Sequence, residues 1–140
     1  MFYIHPIFQF LVTVLALHVF FLGWPRLRAT FVGGRAFFRW KRHVFLGLIS
    51  LIALMAGLIG GAGVTFYYWG GTGFTRMHYW IALGMIPLML FGLISGLILD
   101  RNKGRSKRLA ILHGLNNFIL VIFAVIQIWT GLNVLRFFVM

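Results

Sequence analysis

Five histidines and a single aspartate are all the imidazole and carboxylate groups this chain carries, and it has no cysteine. The missing thiols exclude disulfides, thiolate metal sites, iron–sulfur clusters and covalent attachment of a c-type haem. Nucleophilic or acid–base catalysis finds one carboxylate, Asp100, in a basic loop. The chain therefore has no catalytic constellation of its own, and any oxidoreductase activity would belong to a bound group. What remains is imidazole chemistry, and its placement is regular. Stepping by helical turns from His113 gives Asn117, Leu120, Ala124, Gln127 and Gly131, a face that opens on a ring nitrogen donor and closes on a residue with no side chain. The same order recurs from His5 (Gln9, Val12, Ala16, Val19, Gly23), from His43 (Gly47, Ser50, Leu54, Gly57, Gly61) and from His78 (Ala82, Met85, Met89, Gly92, Gly96).

The elements that carry these faces follow from composition. Of 140 residues, 61% are hydrophobic and 10% charged, with a mean hydropathy of +0.97, far outside the range of soluble globular chains. Four apolar runs, roughly 6–24, 44–69, 79–99 and 109–134, each approach or exceed the ~20 residues a helix needs to cross a bilayer. Backbone groups in hydrocarbon must be satisfied within the protein, and these runs lack the alternation of barrel strands. The expectation is an all-α integral membrane protein, one domain over 1–140, folded as an up-down bundle of four transmembrane helices. Pro6 suits a helix start, which would leave His5 extended just outside it, and Trp24-Pro25 would close the first helix.

The formal charge of +12 is explained by where the cations lie. Arg26, Arg28, Arg35, Arg39, Lys41 and Arg42 fall between the first two runs; Arg101, Lys103, Arg105, Lys107 and Arg108 fall between the last two. Such loops stay on the cytoplasmic side, so both termini are expected on the outer, periplasmic side of an inner (plasma) membrane, as in a bacterium. Gly33 and Gly34 form the flexible point of the first loop, and Phe37 to Arg42 suits anionic headgroups. Nucleic-acid binding needs no invoking. The cationic face would favour acidic soluble redox partners alongside membrane lipid.

Topology then sorts the histidines. His43 and His113 fall at the inner end, from the second and fourth helices; His5 and His78 fall at the outer end, from the first and third. In an up-down bundle these are diagonal pairs facing across the centre. Ala16, Gly23, Gly92 and Gly96 are small where the inner pair needs space, and Gly57, Gly61 and Gly131 where the outer pair does; Gly47 lies one turn from His43. From His113 to Gly131 is 18 residues, about 27 Å of helix, which would set two sites roughly 20 Å apart. A planar group held by two axial imidazoles in a bundle core points to haem b, once at the inner pair and once at the outer, with Arg42, Arg76 and Arg108 as candidate partners for its carboxylates. The residue-level alternatives are a haem-poor, quinone-interacting anchor of a larger dehydrogenase complex, or a pigment-binding protein. His18 lies off the shared face and is expected to be structural or partner-facing. Met85 and Met89 are expected to pack, and Asn117 and Gln127 to bond either between helices or to a cofactor edge.

These two diagonal bis-histidine sites resemble the transmembrane di-haem cytochromes of the cytochrome b561 type and, more loosely, the membrane domains of ferric reductases. The opening His5-Pro6 with Gln9 also looks like a family of small bacterial four-helix proteins related to those cytochromes. The resemblance covers the four helical runs and implies haem b and electron transfer between a reductant on one side and an acceptor on the other. The chain has fewer helices than the cytochrome b561 type.

Overall fold

The four apolar runs become four long helices in a computed structural model that describes residues 3–34, 36–103 and 105–138; Arg35, counted among the loop cations, lies outside the described residues. Helix α1 spans Ile4–Val32, α2 Trp40–Trp69, α3 Met77–Arg101 and α4 Lys107–Phe138. All four are long and apolar enough to cross a membrane, and each exceeds its apolar run because its ends continue as helix. Two ends close on glycine. Gly33 (φ 84°) and Gly70 (φ 69°) donate their N–H groups to the Ala29 and Phe66 carbonyls at 2.9 Å, in backbone conformations that a Cβ disfavours.

Two expectations about α1 are corrected. His5 is helical, in the first turn: Pro6 is the third helical residue, where its missing N–H would have had no partner within the helix, so the start moves back to Ile4. Pro25 does not end the helix either. Its ring removes one backbone bond, but the helix continues for two more turns, with Leu27 lying directly against Gly114 of α4 and, within α1, Thr30 Oγ1 donating to the Arg26 carbonyl at 2.8 Å.

Each helix packs on its two neighbours in the ring, α1 on α2 and α4, α3 on α2 and α4. Helices α1 and α3 therefore lie on one diagonal and α2 and α4 on the other. The centre is filled by Val12, Ala16, Leu54, Met85, Met89, Leu120, Val121 and Ala124, which confirms both methionines as packing residues. Facing outward are large apolar side chains such as Ile4, Phe21, Ile59, Trp80 and Trp129. This inversion suits a solvent of lipid tails, which imposes no cost on exposed apolar surface. The loops joining α1 to α2 and α3 to α4 share one end, here the basic end, and the aromatic residues Phe66, Tyr67 and Tyr68 mark the other.

Candidate functional site

The diagonal geometry brings the histidines together as two pairs. At the basic end, the rings of His43 (α2) and His113 (α4) have centroids 6.4 Å apart and planes at 78°. At the aromatic end, His5 (α1) and His78 (α3) are also 6.4 Å apart, at 86°. A metal held between two imidazoles at about 2.0–2.1 Å per nitrogen, with each ring centre roughly 1.1 Å behind its nitrogen, needs about 6.3 Å between centroids. Ring pairs in direct contact fall in a range of about 4.5–7 Å that includes this value, so the distance permits a metal without requiring one. The hydrogen bonds say more.

His43 Nδ1 lies 3.1 Å from the Val19 carbonyl, which only accepts, so Nδ1 carries the proton. His5 bonds the Gly57 backbone in the matching place on the partner helix. His113 Nδ1 meets Ser95 Oγ at 2.8 Å and His78 Nδ1 meets Thr130 Oγ1 at 3.0 Å. Both hydroxyl protons are engaged elsewhere: Ser95 donates to the Phe91 carbonyl at 2.5 Å, Thr130 to Gln127 Oε1 at 2.8 Å. Each oxygen therefore accepts from its histidine. With Nδ1 protonated, the lone pair sits on Nε2, the form in which a histidine binds metal while its other nitrogen is held by the protein. Asn117 also comes within 3.3–3.4 Å of both His113 nitrogens, but its short bond, 2.7 Å, goes to the His113 carbonyl.

The pattern repeats with a fixed register. His5, His43, His78 and His113 each precede a glycine by 18 residues, and each of these glycines sits against a histidine of the adjacent antiparallel helix. A Cβ on Gly23 would come within 2.8 Å of His43 Cε1, on Gly61 within 2.6 Å of His5 Cε1, and on Gly96 and Gly131 within 3.2 Å of the Cε1 atoms of His113 and His78. The expectation that the stripe glycines clear space for a cofactor is corrected in part: four of them clear space for the imidazoles. Gly57 lies against the Gln9 amide and Gly92 against that of Asn117. Gly47 faces Val19 at ordinary contact distance, 3.5 Å.

A single cavity at the basic end contains both rings of its pair. Its volume is about 160 Å³, and Ala16, Gly23, Gly47, Gly92 and Gly96 line it together with His43 and His113. Toward the end of the bundle it reaches Arg26, Trp40 and Asp100, with Trp40 Nε1 donating to Asp100 Oδ1 at 2.6 Å. Searches of the chain against family profiles, curated proteins and solved structures find no match.

Among the described residues no group of three or more His, Cys, Asp or Glu side chains converges. Each pair offers two donors, so a metal there must bring its remaining ligands with it, as a planar macrocycle does. Arg42, Arg76 and Arg108 are exposed, and Arg26 is the arginine that lines the basic-end cavity. Sequence reasoning missed Arg26, Ser95 and Thr130. The signal for the last two lay one position before the stripe glycine, in Ser95-Gly96 and Thr130-Gly131. Gln127 and Asn117 bond backbone carbonyls, Gln127 across helices to His78 at 2.9 Å and Asn117 within α4 to His113. His18 is exposed at the middle of α1, away from both pairs.

Proposed function

We propose that this chain is a b-type di-haem transmembrane electron-transfer protein, holding one haem between His43 and His113 and a second between His5 and His78. The observation that carries this reading is the set of four histidines in two diagonal pairs, each with one ring nitrogen committed to a hydrogen bond on the neighbouring helix, at opposite ends of four membrane-length helices. The basic-end cavity is lined by both rings of its pair and by residues of all four helices.

Haem b supplies reversible one-electron exchange at its iron. The chain's own residues do the rest. The hydrogen bonds from the imidazoles fix their tautomer and orientation. The layer of Leu54, Met89, Leu120 and Ala124 between the two ends keeps water from the interior. Arg26, one turn beyond Gly23, offers a cation for the carboxylates of a ring in the basic-end cavity. By the distribution of loop cations, the basic end is cytoplasmic and both termini are periplasmic in a bacterial inner membrane. The cationic surface there suits acidic or flavoprotein electron donors, with docking that weakens as salt rises. The reading shares the paired axial histidines of the cytochrome b561 type.

The test is a reduced-minus-oxidised spectrum of the purified protein with a pyridine haemochrome assay. The expected result is b-type bands and two haems per chain. Absence of bands, or two haems retained after both His43 and His113 become alanine, would overturn it.

A further inference from the structure

The four hydrogen bonds that hold the histidines are of two kinds, and the kinds are distributed evenly. In the α1–α2 hairpin the acceptors are main-chain groups, Val19 for His43 and Gly57 for His5, each 14 residues beyond the histidine of its own helix. In the α3–α4 hairpin they are side-chain hydroxyls, Ser95 for His113 and Thr130 for His78, each 17 residues beyond. The pairs form across the two hairpins, so each site has one ligand anchored to backbone and one anchored to a hydroxyl.

A backbone carbonyl is available anywhere along a helix; a buried hydroxyl at this register is not. Ser95 is 1% exposed, and its bond to the Phe91 carbonyl would satisfy a helix serine without any histidine. Its second role, accepting from His113, is an addition to that. Thr130 takes part in a closed circuit: His78 Nδ1 donates to Thr130, Thr130 to Gln127 Oε1, and Gln127 Nε2 back to the His78 carbonyl at 2.9 Å. A hydroxyl that is itself donating is a stronger acceptor. A stronger acceptor at Nδ1 moves electron density toward Nε2 and makes the ring a better donor to a metal.

Resting on the di-haem reading, we propose that Ser95 and Thr130 are positioning residues that set the donor strength of one axial ligand in each centre, Ser95 through His113 at the basic end and Thr130 through His78 at the aromatic end. They tune the two reduction potentials independently. Better donation favours the oxidised, more highly charged metal, so loss of the hydroxyl raises the potential of that centre alone. Gln127 belongs to the same device, and its replacement by leucine moves the aromatic-end centre in the same direction by a smaller amount.

The test is a potentiometric titration of the full-length protein, followed in the visible bands and by the low-spin electron paramagnetic resonance signals, for wild type, Ser95→Ala, Ser95→Thr, Thr130→Val and Thr130→Ser. The expected result is two waves, of which Ser95→Ala moves one to more positive potential and Thr130→Val the other. Ser95→Thr and Thr130→Ser, which keep the hydroxyl, stay at the wild-type positions. If an alanine or valine variant loses its haem, restoration of haem and wave by the hydroxyl-bearing replacement supports the assignment. The proposal is overturned if both haems are retained and neither wave moves, if both variants move the same wave, or if replacements with and without the hydroxyl behave alike. A wild-type protein without b-type bands would instead remove the di-haem reading, and this assignment with it.

Discussion

Gly23 of α1 lies against the ring of His43 in α2 so closely that a Cβ would sit 2.8 Å from Cε1 and 3.2 Å from Nδ1. The Nδ1 atom is the one bonded to the Val19 carbonyl, one turn back along α1. The glycine and the carbonyl therefore act together: the absent side chain lets the ring reach the backbone that orients it. Gly61 does the same for His5, at 2.6 Å. At Gly96 and Gly131 the clearance is 3.2 Å, which a few tenths of an ångström of movement would relieve. Alanine should consequently act unequally at the four positions. Gly23→Ala and Gly61→Ala are expected to cost about 1–3 kcal/mol in overpacking and to lose the haem of the adjacent pair. Gly96→Ala and Gly131→Ala should keep theirs with a small fall in melting temperature. Haem per chain and thermal melting of the four variants check this ranking, and equal behaviour of all four would contradict it.

The two histidine pairs share no residue, and apolar side chains of the bundle centre separate them. Removing one should leave the other intact. His113→Ala and His43→Ala are each expected to give one haem per chain with a single remaining wave, and His5→Ala and His78→Ala one haem with the other wave. A pyridine haemochrome assay on the four single variants decides it. Loss of both haems from any one variant would show that the ends are coupled through folding.

All three of Arg26, Arg42 and Arg108 are exposed, but Arg26 lines the basic-end cavity, where a cation can meet a carboxylate, and the other two do not. Arg26→Gln is therefore expected to weaken haem retention at the His43–His113 pair several-fold, measured as the rate of transfer to apomyoglobin. Arg42→Gln and Arg108→Gln should leave that rate near wild type. Equal effects of all three would place the contribution in the general field of the basic end and not in the cavity.

The number of helices, the two diagonals and the histidine register were legible because they depend on hydropathy and on the 3.6-residue period, both local properties of sequence. The helix lengths were not. At Pro25 the local rule says stop, but Leu27 on Gly114 continues the helix through a contact some 87 residues away in sequence, the separation of 27 and 114. His5 was misplaced for a similar reason, since proline is tolerated throughout the first helical turn and not at its first residue alone. The glycine stripes were visible, but what they accommodate was not: whether the space serves a cofactor or an adjacent imidazole depends on the rotation of the neighbouring helix. Ser95 and Thr130 passed unnoticed because a lone hydroxyl in a membrane helix carries no signal until the facing residue is known.

His18 offers a control within the same helix. It is exposed within the apolar part of α1 and sits 13 residues beyond His5, about 140° round the wheel from it. No pair forms there, so His18→Leu should retain two haems and both waves unchanged. Two haems lost or one wave moved would mean that His18 reaches a centre.

The second and third helices are joined by a bond between an aromatic donor and the chain's only acidic residue, Trp40 Nε1 to Asp100 Oδ1 at 2.6 Å. A carboxylate in the last turn of a helix opposes the helix dipole, so its position there needs a partner. Trp40 supplies one from the first residue of α2, and the bond draws the α2 and α3 ends together at the mouth of the cavity that holds His43 and His113. Trp40→Phe keeps the ring and removes the donor. It is expected to cost about 1.5–3 kcal/mol, as for a hydrogen bond to a charged group, and to make the basic-end haem dissociate faster while the aromatic-end haem is unaffected. Asp100→Asn retains an acceptor and should fall between the wild type and Trp40→Phe. Melting temperature and the haem-transfer rate of each variant check the order, and a Trp40→Phe protein with wild-type values for both would show that the bond does not close the mouth.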